Sequence, residues 1–105
     1  MEGFKKIDVN GREYTLIMMS PTQAHDYFYD LTAAEERKES IARFDKMAIG
    51  QCSDPMMRPL KDAGNFEQCF SDHPEDMLLL GRRARDELIL PFLPKKPDTK
   101  PPAKS

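Results

Sequence analysis

The sequence has little of what most functional classes require. It carries only two cysteines, Cys52 and Cys69, which do not make a disulfide framework, and a start, MEGFKKIDVNG, without the apolar segment of a secretory signal. A reducing cytoplasm is the expected compartment. The apolar run Met77–Leu80 falls far short of the roughly 20 residues that cross a bilayer, so no membrane partner is expected. His25 and His73 are the only histidines, no serine or cysteine sits in a nucleophile-elbow context, and no glycine-rich loop follows a strand. The chain reads as a non-enzyme with no cofactor. Charge is nearly balanced, at −2 over 105 residues with 32% charged side chains, unlike a basic nucleic-acid binder.

Proline is what the sequence does have, and it is unevenly placed. Five of the nine prolines (Pro91, Pro94, Pro97, Pro101 and Pro102) fall in the last fifteen residues. From 94 to 105 the segment PKKPDTKPPAKS has no large apolar residue, so burial cannot offset the entropy of ordering it. A disordered tail over 94–105 is expected, after one folded domain over 1–93. The tail holds four lysines against one aspartate, which leaves the body 12 basic and 17 acidic side chains, about −5.

Within the body, the expected class is α+β, mostly α: an N-terminal β-hairpin followed by three to four helices. Asn10-Gly11 supplies the two positive φ angles of a type I′ turn. A hairpin over 4–18 follows, with Val9 facing Arg12, Ile7 facing Tyr14 and Lys5 facing Leu16. Ile7, Val9, Tyr14 and Leu16 then share a face that must be covered. Ser20-Pro21-Thr22-Gln23 is a capping box with proline in the first turn, opening a helix over about 21–31 whose Ala24, Tyr27, Phe28 and Leu31 form one stripe. Thr32 with Glu35 repeats the box, so a second helix is expected over 33–49, although one continuous bent helix reads almost the same, with Ile41, Phe44, Met47 and Ala48 inward and Gly50 as a stop. Residues 51–64 read as a loop with a turn after Asp54-Pro55. Asn65 opens a short helix over 66–71. Asp72 then caps a last helix over 74–90, with Glu75 and Asp76 placed for its dipole and Met77, Leu80, Ala84 and Leu88 on its apolar face. Tyr27, Phe28, Phe44, Leu80 and Leu88 are the expected core.

Candidate sites are few. Cys69-x-x-x-His73 with Cys52 and His25 offers four zinc ligands but no paired close spacing, so Cys69 is read as a small core residue beside Phe66 and Phe70, and no metal is expected. Arg82, Arg83 and Arg85 would be the phosphate contact, but Asp86-Glu87 adjoins them and the body is acidic; a salt-bridged helix face is the simpler reading. The seven methionines say more, because thioether side chains repack readily against helices of varied sequence. Met47 and Met77 are explained as core filling. Met56 and Met57 in the loop, with Met18 and Met19 at the hairpin's end, are the candidate partner-binding residues.

The order of elements, with KKIDVNGREYTLIM at the start and NFEQCFSDHPEDMLLLGRRARDEL late in the chain, resembles the tail assembly chaperones of long-tailed bacteriophages and prophages over about residues 5–90. The resemblance implies a non-enzymatic protein of the host cytoplasm. It would bind the tape measure protein, and indirectly the tail tube protein, before tube polymerisation, and be absent from the mature virion. It also implies a longer product made by ribosomal slippage, for which Pro94-Lys95-Lys96 can be encoded by an A-rich heptamer. Two alternatives stand beside it: a structural tail or head-tail connector protein of the virion, and a small DNA-binding or regulatory protein using the three arginines. Self-association as a homo-oligomer is also expected from leftover apolar surface.

Overall fold

Asn10 and Gly11 take φ of 54° and 82° and turn the chain back between β1 (Phe4–Val9) and β2 (Arg12–Ile17). The register pairs Val9 with Arg12, Ile7 with Tyr14 and Lys5 with Leu16, as the two-residue turn requires. Ile7, Val9, Tyr14 and Leu16 are all buried. The structure is a computed structural model that describes residues 3–93. Met1, Glu2 and 94–105, with the expected tail and Pro94-Lys95-Lys96, lie outside the described residues.

The mostly helical α+β architecture is present, with departures in its parts. The first concerns α1 (Pro21–Glu36), which opens on the reciprocal Ser20–Gln23 capping box but does not stop at Leu31. It runs through Thr32 and Glu35, because Leu31 and Ala34 are both buried on its inner face and a break there would expose them. The helix ends at Arg37, where Lys38 N–H donates to the Glu35 carbonyl at 3.0 Å and Glu39 N–H to the Ala34 carbonyl at 2.9 Å. That is a Schellman closure with lysine where glycine is usual, and Lys38 has φ of 59°. Replacing Lys38 with glycine removes the left-handed penalty, and urea denaturation is expected to show a gain of about 1 kcal/mol.

The second departure follows from the first: α2 is short, Ala42–Ile49, instead of filling 33–49. Phe44, Ala48 and Ile49 take its buried face, which leaves Met47 49% exposed, not core filling as expected. The third departure lies in 51–64, which is ordered rather than an open loop. Cys52–Ser53 form β3, pairing antiparallel with β2 through Thr15–Ser53 and Leu16–Cys52, so the sheet order is β1-β2-β3. Two residues are too few to show a strand period.

Next, α3 spans Ala63–Asp72 and is capped by Asp62, whose carboxylate accepts from the Gly64 and Asn65 amides. Asn65, the expected cap, instead donates its side chain to the Pro59 carbonyl at 3.0 Å. Asp72 closes α3 rather than capping α4 (Pro74–Ile89), which begins after His73 without a side-chain cap. A 3-10 turn, Leu90–Phe92, follows and lets Phe92 stack on Phe28 at 5.2 Å. Phe28 is therefore only half-buried, at the margin rather than in the core, whereas Tyr27, Phe44, Leu80 and Leu88 are buried.

The helices are locked together by small residues and satisfied polar groups. Gly81 sits where α4 crosses α2: a Cβ there would lie 3.0 Å from Asp45 Cβ and 3.4 Å from Ile49 Cδ1. Beside it, Arg85 Nη1 donates to Asp45 Oδ1 at 2.8 Å. Tyr27 Oη donates to the Phe44 carbonyl at 2.7 Å, tying α1 to α2, and burial raises its phenol pKa. The buried row of α4 is Asp76, Leu80, Ala84 and Leu88, four residues apart. Met77 lies beside that row and is 40% exposed, so it too is not core filling. Among the described residues no helix is long and apolar enough to cross a membrane.

Candidate partner-binding surface

The Met56-Met57 pair owes its position to Asp54. Its carboxylate is buried, with Oδ1 accepting the Met56 and Arg58 amides, each at 2.9 Å, and Oδ2 accepting Arg58 Nε at 2.7 Å. The turn this creates puts Met57 at φ of 64° and holds both methionines outward, at 72% and 60% exposure. They point to different places. Met57 lies over the outer face of the sheet with Phe4 and Ile17, and its Sδ accepts from Thr15 Oγ1 at 3.7 Å. Met56 borders a small recess beside Arg12 and His73.

Met18 and Met19 are half-buried and packed against the core. Met19 also borders a groove of about 580 Å³ beside α1 and α2, together with Tyr29 and Met47. The four methionines expected as a partner surface are thus divided among separate faces. What the sequence reasoning missed is the place of Met47. A second groove, of about 520 Å³, opens on its other side between α2 and α3, with Leu60 and Phe66 in it and Arg43, Lys46 and Lys61 around it. Met47 and Arg43 border both grooves. A signal was present: Arg43, Lys46, Met47 and Gly50 recur at i, i+3, i+4 and i+7, a second helix face of mixed cationic and apolar character.

No protein-family model, curated protein or solved structure matches the chain. The chemistry of its surfaces and polar clusters is therefore read from the geometry alone.

The densest polar cluster lies away from the grooves, where the hairpin meets the start of α4. Asp76 is fully buried, yet every neighbour on its carboxylate is a donor. Oδ2 accepts Arg12 Nε and Tyr14 Oη, each at 2.6 Å; Oδ1 accepts Asn10 Nδ2 at 2.7 Å and Arg12 Nη2 at 2.9 Å. Burial by itself would raise the carboxyl pKa, but the hydrogen bonds from Arg12, Asn10 and Tyr14 outweigh it and hold the group well below the usual carboxylate range. Burial and the Asp76 bond push the Tyr14 phenol upward. With its acceptor sites filled by these donors, Asp76 is built as a structural clamp between hairpin and helix. Its position four residues before Leu80, on the apolar row, was the available signal.

The other titratable candidates are equally committed. Burial pushes the Cys52 thiol up to about 12 and raises that of Cys69, so neither is a thiolate at neutral pH. Among the described residues no group of His, Cys, Asp and Glu is arranged to hold a metal ion. Of the three arginines weighed as phosphate contacts, Arg85 is paired with Asp45 and Arg83 donates to the Asp8 carbonyl at 2.7 Å.

Proposed function

We propose that this protein is a non-enzymatic tail assembly chaperone of a long-tailed phage or prophage. In this reading it covers apolar helix on the tape measure protein in the host cytoplasm, serves the tail tube protein indirectly, and stays out of the finished particle. The observation that carries the proposal is the pair of open grooves meeting at Met47. A long client helix exposes an apolar stripe that would otherwise self-associate, and a small protein with uncovered grooves can shield it. A flexible thioether at the junction suits a client whose sequence varies along its length.

The test is co-expression with a phage tape measure protein. The expected result is a soluble complex that the chaperone co-purifies with. Met47→Glu alters an exposed position, so its stability should change by no more than about 0.5 kcal/mol, while recovery of the client falls at least tenfold. Stoichiometric amounts of the protein in purified particles would overturn the proposal in favour of a structural tail component.

A further inference from the structure

The groove between α2 and α3 has a charge as well as a shape. Met47 and Phe66 supply apolar surface above the buried Leu60, while Arg43, Lys46 and Lys61 stand around it against the single carboxylate of Glu67. These cations are largely uncommitted. Among the described residues neither Lys46 nor Lys61 has a carboxylate within 4 Å, and Arg43 has only Glu39 at 3.8 Å. Instead Arg43 lies 4.6 Å from the Phe44 ring centre and Lys46 5.7 Å from that of Phe66, which lays the lysine's aliphatic stem along the groove. A local excess of positive charge on a body of about −5 is a specific local feature, not a reflection of composition.

We infer that this groove takes one amphipathic helix of a partner protein, with its apolar residues against Met47 and Phe66 and acidic residues flanking that stripe to meet Lys46, Lys61 and Arg43. A volume of about 520 Å³ suits a few large side chains, within the range of well-formed binding clefts. The walls are side chains of α2 and α3 with Leu60 and Lys61 of the segment before α3, and no lining residue belongs to a strand, so recognition is of the helix-in-groove kind rather than strand addition. The chain's own 94–105 segment is the wrong occupant by charge, with four lysines against one aspartate. A nucleic acid would leave the apolar floor unfilled and would meet Glu67. The inference rests on the chaperone reading only for the source of the helix; the chemistry of the groove is independent of it.

Two synthetic helical peptides with the same leucine stripe separate the possibilities, one flanked by glutamates and one by lysines. Added to the full chain labelled for NMR, the acidic peptide is expected to bind at least tenfold tighter at low salt. Its shift changes should centre on Met47, Leu60 and Phe66, and the preference should shrink as salt rises. The double variant Lys46→Glu/Lys61→Glu, at two exposed positions, is expected to lose or reverse the preference. Equal binding of the two peptides, binding of neither, or shift changes elsewhere would overturn the inference, and the wild-type mapping decides this even where the variant folds poorly. The same shifts appearing with protein concentration alone would assign the groove to a second copy, and shifts produced there by duplex DNA would assign it to nucleic acid; either overturns it. Co-purification of the tape measure protein without the peptide preference removes the groove and leaves the chaperone proposal, whereas the preference without co-purification does the reverse.

Discussion

Replacing Asp76 with alanine is expected to lower the unfolding free energy by about 3–5 kcal/mol, the usual cost of removing one partner from a buried charged pair. The loss comes from what the substitution leaves behind. Tyr14 Oη, in a fully buried side chain, would lose its 2.6 Å acceptor, and the Arg12 guanidinium would keep only Glu75. Tyr14→Phe removes one donor while leaving the carboxylate paired, so its cost should be smaller, about 1.5–3 kcal/mol for a hydrogen bond to a charged group. Urea midpoints with unchanged slopes would measure both. Near-equal losses in the two variants would show that the phenol, and not the charge, holds the junction.

The same carboxylate predicts how stability depends on pH. Its pKa is depressed in the folded state, so its contribution is fully present above the ordinary aspartate value of about 3.9. Below that value the unfolded chain takes up a proton that the native chain refuses, and stability falls with pH. Urea melts between about pH 5 and 2 should therefore be steeper for the natural protein than for Asp76→Asn. Parallel curves would mean that Asp76 is ordinary in its ionisation.

Asp54→Ala is the second large effect, at about 2–3 kcal/mol. It is smaller than that of Asp76 because the partner, Arg58, has its side chain 37% exposed and can recover water. Two backbone amides lose their acceptor as well, which leaves the turn at Met57 only its backbone bonds, Met57 N–H to the Asp54 carbonyl at 2.7 Å and Asp54 N–H to the Arg58 carbonyl at 3.0 Å. The prediction therefore has a second part: the amide signals of residues 55–58 should broaden or shift toward unstructured values, while those of α4 remain. Unchanged loop signals would show that the β3 pairing alone shapes the turn.

These two aspartates also mark where the sequence was readable and where it was not. Asn10-Gly11 and Ser20-Pro21-Thr22-Gln23 are local codes whose geometry depends on a few adjacent residues, and both elements start where those codes put them. The second capping pattern, Thr32 with Glu35, is equally good locally and is overruled because Ala34 must stay in the core. The real end of α1 rests on Lys38 in a glycine conformation, which no residue type announces. Sequence alone makes Asp76 a dipole partner, because first-turn acids usually are. Only its place on the Leu80 row, together with Arg12 and Tyr14 more than sixty residues earlier, gives it a different role. Met47 is exposed for a related reason: helical spacing says which residues share a face, while the neighbours of that face are set by the tertiary structure.

The hairpin precedes α4 by more than fifty residues, but Asn10, Arg12 and Tyr14 are joined to Asp76, and Lys5 reaches Glu87 at 2.8 Å. During synthesis at roughly 5–20 residues per second, β1 and β2 emerge early and then wait several seconds for α4 to be made. Over that interval Ile7, Val9, Tyr14 and Leu16 lack their final cover. A segment made well before α4 is thus sealed only once α4 arrives, and a nascent chain arrested before α4 should remain sensitive to protease within residues 4–17.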